Sequence, residues 1–244
     1  MIKTFKPHLE ILPPAQRRLW GELGPTQSLG FVLYGGTAIA LRVGHRYSVD
    51  FDLFTDKPLD HVALTQALPI IRKSTILQDR PNALTMLVVP GDHAEVKISF
   101  FGAIGIGRVD HPEVTEDGVL QVASLDDLMA TTLKVILQRA EAKDYQDIAA
   151  LIKAGVSVSK GLSSAREMFG PNFQPSESLK AMVYFSGGDL HTLSCEDKHL
   201  IATTAAAVTR IPLVQILSRD LSISDPQWIT GLDAKHGKGW DIER

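Results

Sequence analysis

The chain has 244 residues, a formal net charge of -3, an apolar fraction of 44% and a charged fraction of 22%. That length can bury one large core or two small ones, and the mild acidity excludes a global basic field while leaving room for a local patch. The single cysteine, Cys195, excludes an internal disulfide and a cysteine-ligated structural zinc site. Met1 to Pro7 holds no apolar core of signal-peptide length, and no run nears the roughly 18 apolar residues that cross a bilayer. A cytoplasmic protein without membrane contact is expected.

In chain order, Leu9, Leu12, Leu19 and Leu23 fall near one face of a predicted helix over 8–23, interrupted early by Pro13 and Pro14. Phe31 to Tyr34 reads as a buried strand entering a tight turn at Gly35 and Gly36. A short helix opens at Thr37 and closes at Gly44, a C-cap residue type. Tyr47 to Phe54 alternates polar and apolar residues, the pattern of a strand with one buried face. Asp50 and Asp52 then share the open face, and Val49, Phe51 and Leu53 point to the core. A helix over 59–72 follows, then strands over 84–89 and 95–101, joined by a turn at Pro90-Gly91-Asp92. Ser124 with Asp127 makes a capping-box-like start for a helix from Leu125 to Ala140, and a second helix runs from about Lys143 through Ile152. The last third is helical in composition, with loops near Gly170-Pro171 and Gly187-Gly188. Strands mixed with helices first and helices afterwards predict an α+β fold: a mixed sheet flanked by helices, followed by a mainly helical lobe.

The chemistry concentrates in Gly35-Gly36-Thr37 and Asp50-Phe51-Asp52. Carboxylates two residues apart on one strand face can share a divalent cation, and hard oxygen ligands favour magnesium or manganese over zinc. Glycines at a helix start let backbone amides approach a phosphate. Together these features describe a phosphoryl-transfer site in which amides and metal hold a triphosphate.

The segment Gly35 to Phe54 (GGTAIALRVGHRYSVDFDLF) resembles the AbiEii/AbiGii toxin-type nucleotidyltransferases, within the DNA polymerase β-like superfamily. A second block, with Lys134, Arg139 and Lys143-Asp144-Tyr145-Gln146-Asp147, is similar to the same family, so that the resemblance spans about residues 30–152. It implies a nucleotidyltransferase domain over 1–120 and a helical C-terminal domain over 121–244 that contributes to the active site. It implies that Gly35, Gly36 and Thr37 contact the nucleotide phosphates, and that Asp50 and Asp52 ligate two magnesium or manganese ions. Ser48 and Arg46 follow the same face and are candidates to meet phosphate oxygens. Lys134 would offset triphosphate charge. Asp144 and Asp147 share a helix face and would orient Lys134 or another basic group. The implied reaction moves a nucleoside monophosphate from an NTP to RNA, tRNA ends in particular, by a toxin neutralised by a cognate antitoxin.

One departure stands out. Many superfamily members carry a third carboxylate on a later strand, where this chain has Ser99. Alternation puts Glu95, Lys97 and Ser99 on one face, with Glu95 a displaced candidate. The acceptor therefore stays open between RNA, a protein hydroxyl and a small molecule of the antibiotic type, and a nucleotide-binding regulatory module with impaired catalysis is an alternative. Elsewhere, His45, His61, His93, His111, His191, His199 and His236 lack metal-ligand spacing, and Gly102 to Gly107 reads as a flexible loop. Lys235 to Trp240 is a basic, aromatic stretch that reads as a frayed tail or an RNA contact.

Overall fold

The computed structural model describes residues 3–91 and 94–223. The Lys235 to Trp240 stretch, Asp92 of the predicted turn, His93 and His236 lie outside the described residues. Strand β1 (Thr4–Phe5) leads into a 3₁₀ turn at Leu9–Ile11, helix α1 (Pro14–Leu19) and a 3₁₀ segment at Trp20–Thr26. The single helix expected over 8–23 is thus three pieces: Pro13 and Pro14, which lack the N–H that a continuous helix needs, separate the first two, and α1 passes into 3₁₀ geometry at Trp20. Strand β2 (Val32–Tyr34) passes directly into α2 (Gly35–Val43), which Gly44 ends in the left-handed conformation at φ 67°. Strand β3 (Asp50–Phe54) follows, then α3 (His61–Ala67) and a 3₁₀ turn at Pro69–Lys73, Pro69 having split the helix expected over 59–72.

Strands β4 (Thr75–Arg80), β5 (Ala83–Val88), β6 (Val96–Phe101), β7 (Glu113–Thr115) and β8 (Gln121–Val122) complete one sheet of order β1-β7-β8-β2-β3-β6-β5-β4. Its central neighbours set the site: β3 pairs antiparallel with β2 and parallel with β6. Phe51 and Leu53 are fully buried, whereas Asp50, Asp52 and Phe54 keep partial exposure on the other face.

Residues 47–49 do not join the ladder, and Val49 is 60% exposed rather than in the core. The cause is local: Thr37 Oγ1 donates to the Asp50 carbonyl and shares a 2.6 Å hydrogen bond with Ser48 Oγ, drawing the strand entry toward α2.

Helices α4 (Leu125–Val135), α5 (Ala142–Lys153), α6 (Val158–Phe169), α7 (Pro175–Met182) and α8 (Cys195–Ala206) form the helical part, and α4 and α5 pack against α2. Helix α4 ends five residues before Ala140, which frees Arg139 from helical spacing. Among the described residues no helix is long and apolar enough to cross a membrane.

The Gly102–Gly107 segment is anchored rather than loose. Ala103 N donates to Lys57 O (2.7 Å), Ile104 N to Thr55 O (3.0 Å) and Arg108 N to Ser218 O (2.9 Å). Residues 217–223 return to the sheet as a strap, with Arg108 Nε donating to Asp220 O at 2.9 Å and Gln121 exchanging hydrogen bonds with Ile223.

The α4 start carries a pH-dependent element. Ser124 caps the helix and donates to Asp127 Oδ2 at 2.6 Å, while Val109 N donates to Oδ1 at 2.8 Å. Burial nonetheless pushes the Asp127 carboxyl up to about 6. The folded state therefore binds more protons than the unfolded chain between about pH 4 and 6, and stability falls as pH rises through that window, by roughly 3 kcal/mol in all. Asp127→Asn is expected to flatten that stretch of the stability–pH curve and to be the more stable protein at pH 8. Urea denaturation across pH 4–8 checks it; an Asn variant that loses stability at pH 8 contradicts the assignment.

Candidate active site

A cleft of about 950 Å³ opens between the sheet and the helical part. Its floor is Asp52 with Gly35 and Gly36 at the start of α2, and its far wall carries Lys134 and Arg139, with Asp144 and Asp147 from α5. Six of the predicted site residues therefore meet in one cavity, although they come from β3, α2, α4 and α5. Asp50 stands just outside the lining, its side chain 35% exposed and paired with Lys97 Nζ at 2.9 Å.

The register explains the face. Asp50 lies opposite Lys97, Asp52 opposite Ser99 and Phe54 opposite Phe101, so β3 and β6 present three rungs, ionic, then carboxylate and hydroxyl, then aromatic. Desolvation raises the Asp52 carboxyl above the usual carboxylate range, and the neighbouring charge of Asp50 adds to it. Lys97, a hydrogen bond from Ser99 and Arg139 pull the other way. Ser99 is thus placed against Asp52, at the rung where a third carboxylate was sought. Glu95 lies outside β6 and is exposed.

Gly35 adopts φ 76°, and a Cβ added there would stand 3.2 Å from Asp52 Oδ2. The start of α2 is therefore laid directly against the carboxylate, with its free amides at the cleft. At Gly36 the constraint is space: a Cβ would fall 2.1 Å from Arg46 Nη2 and 3.1 Å from Asp147 Oδ2. Arg46 grips Asp147 with two parallel bonds, Nε to Oδ1 and Nη2 to Oδ2, each 2.7 Å. His45 Nε2 donates to the same Oδ1 at 2.7 Å. Asp144 holds Arg139 in the same forked way, at 2.8 and 2.9 Å. That pairing raises the Arg139 guanidinium above its ordinary value, outweighing the opposite pull of burial.

The two α5 carboxylates orient arginines, not Lys134. Lys134 Nζ donates instead to Asn172 O at 2.5 Å and lies 5.9 Å from the Phe169 ring centroid. Thr37 and Ser48 are both buried, and their hydroxyls bond to each other rather than opening into the cleft. Arg46 faces Asp147 and is committed to it.

Reasoning from sequence missed Lys97, His45, the pairing of Arg139 and the aromatic rung. Period-2 alternation carried the signal for Lys97, Phe54 and Phe101, each two residues along a face already identified. Tyr34 stacks on Phe54 with ring centroids 5.0 Å apart, and Phe101 meets Phe54 edge-on at 5.3 Å. Ile104 and Ile106 extend this apolar wall.

Two oxygen-ligand side chains on one strand face, one of them desolvated and held by few donors, fit a hard divalent cation. Among the described residues no cluster of three or more His, Cys, Asp or Glu is placed to hold one.

Comparison with known proteins places the chain in a family. The family described as "Nucleotidyl transferase AbiEii toxin, Type IV TA system" matches residues 24–174. An uncharacterized protein of Aquifex aeolicus is 29% identical over 157 residues, spanning 64% of this chain and 73% of its own. Among solved structures, the nucleotidyltransferase toxin MenT4 of Mycobacterium tuberculosis is similar in fold, with a TM-score of 0.50 and 14% identity over 81% of this chain and 82% of that one. The family match covers more than half of the chain and every residue of the cleft floor, and the chain belongs to the AbiEii nucleotidyl transferase toxin family of type IV toxin–antitoxin systems.

Proposed function

We propose that this nucleotidyltransferase moves a nucleoside monophosphate from an NTP to an RNA acceptor, a tRNA end in particular, with loss of pyrophosphate. The observation that carries this reading is the shared cleft: carboxylate Asp52, the amide-rich start of α2 and the cations Lys134 and Arg139 all line it. Its volume of about 950 Å³ lies at the upper end of small-molecule sites, which supports room for an acceptor end beside the nucleotide. Phe54 and Phe101, half-buried in the cleft lining, supply an apolar aromatic wall against which a base can pack.

In this reading a nucleotidyltransferase domain over about residues 1–120, whose sheet also takes in β8, works with a helical part from α4 onward that brings Lys134, Asp144 and Asp147 to it. Asp50 and Asp52 would hold a magnesium or manganese ion, which when bound supplies neutralising charge to the triphosphate and acidifies the attacking hydroxyl. The amides of Gly35 and Gly36 bind phosphate oxygens, and Arg139, fixed by Asp144, adds charge from the opposite wall. Asp147 serves the site by holding Arg46 beside Gly36. Asp52, on the floor of the cleft beside Gly35, takes the proton of the acceptor hydroxyl at a carboxylate oxygen. The tie between Thr37, Ser48 and the Asp50 carbonyl keeps the carboxylate strand in place. Cytoplasmic action on NTP and RNA, under control of a cognate antitoxin, belongs to the same proposal.

Incubation with each α-labelled NTP, magnesium and total tRNA tests it. Label on RNA, lost after nuclease, is the expected result; label on protein alone, or on a small molecule, overturns the RNA acceptor. Lys134→Ala should raise the KM for NTP about tenfold or more with a smaller change in kcat, as expected for loss of a charged contact to phosphate. An unchanged KM would remove Lys134 from nucleotide binding.

A further inference from the structure

We infer that the Lys97 ammonium takes the place of a second metal ion at this site, so that Asp50 and Asp52 hold a single divalent cation rather than a pair. The inference rests on the metal-dependent reading above. It starts from the rungs of β3 and β6: the residues that β6 sets opposite Asp50 and Asp52 are Lys97 and Ser99, a cation and a neutral hydroxyl. Lys97 Nζ donates to Asp50 Oδ2 at 2.9 Å, so one of the two ligand carboxylates already has a positive partner.

Among the described residues no other carboxylate of the cleft is free to complete a second cation site. Asp144 is held in a fork by Arg139, and Asp147 by Arg46 and His45. Glu95 lies exposed beyond the start of β6. A second dication placed between the strands would bring its charge onto a rung where an ammonium stands, and like charges at that range repel strongly in a partly desolvated site. One dication with Lys97 beside it outweighs the two carboxylates by one positive charge, which is left for the triphosphate, and avoids that conflict. Lys97 is then a charge-compensating residue that positions Asp50, and its side chain, 39% exposed, can be changed without opening the core.

Counting manganese by electron paramagnetic resonance tests this, with the full chain and one equivalent of each α,β-methylene NTP in turn. The wild type is expected to bind one manganese ion per chain. Lys97→Met, checked for folding by circular dichroism, should bind two and lose about a hundredfold in turnover, partly recovered at high manganese. Lys97→Arg, which keeps the charge, should stay at one ion. Two ions on the wild type, or one on Lys97→Met with unchanged turnover, overturns the role given to Lys97. A wild-type spectrum identical to that of manganese and nucleotide without protein overturns the metal-dependent reading itself.

Discussion

Asp52→Asn is expected to lower nucleotidyl transfer about a thousandfold while leaving the protein at least as stable as the wild type. The activity loss follows from taking away the carboxylate that faces the cleft beside Gly35, since preorganised charge at a phosphoryl-transfer centre accounts for much of the rate. The stability gain follows from the same burial. Desolvation raises the Asp52 carboxyl, so the folded state binds more protons than the unfolded chain above the ordinary value of 3.8, and stability is lost as pH climbs from there. An amide carries no such penalty and keeps an oxygen for the Ser99 hydroxyl. Urea denaturation at pH 5 and pH 8, run beside a turnover assay, separates the two effects. A variant that is inactive and also several kcal/mol less stable would mean that Asp52 holds the fold rather than the substrate.

The second large effect is structural in origin. Asp147→Ala is expected to destabilise the protein by about 3–5 kcal/mol, because it strands Arg46, and with it His45, without the carboxylate both point to. The side chains are 3% and 18% exposed for Asp147 and Arg46, so water recovers little of the loss. Gly36→Ala reaches the same pair from the other side: its new methyl would lie 2.1 Å from Arg46 Nη2, and the guanidinium has to leave. Both variants should lower activity by loosening the start of α2, where Gly36 meets the cleft. Thermal denaturation of the two single variants and the double checks the coupling. A double variant far less stable than either single one contradicts a shared mechanism, since contacts in one network do not add.

The stretch from Gly35 to Phe54 was legible in the sequence because its information is local. The glycines start α2, Gly44 ends it, and alternation over 50–54 assigns Asp50 and Asp52 to one face. The helices α4 and α5 were legible for the same reason, through the Ser124 cap and helical spacing. Failures followed from two physical causes. Local patterns were overridden where prolines cut helices, as at Pro13, Pro14 and Pro69, and where the Thr37 hydroxyl pulled residues 47–49 off the sheet. Strands β1, β7 and β8, at two or three residues, are also too short for any period to show.

The other cause is distance along the chain. Arg46 and Asp147 are 101 residues apart, and Lys97 and Asp50 are 47 apart. Periodicity says which face a side chain occupies, but not which strand or helix lies beside it. For that reason helical spacing placed Asp144 and Asp147 on one face of α5, and the link of that face to an active site came from the family resemblance, without its partners being known. The cleft's apolar wall was hidden differently. Ile104 and Ile106 sit in a segment whose glycines suggested looseness, and its order comes from Lys57, Thr55 and the returning strap at Ser218.

Nucleotidyl transfer is proposed to take place at the Asp50 and Asp52 face. Its most direct measurement pairs α-labelled with γ-labelled NTP in one transfer assay, with wild-type protein and Asp52→Asn. Label retained on the acceptor from the α position only, and absent with Asp52→Asn, is the predicted result. Transfer of the γ label, or a full signal from Asp52→Asn, would contradict it.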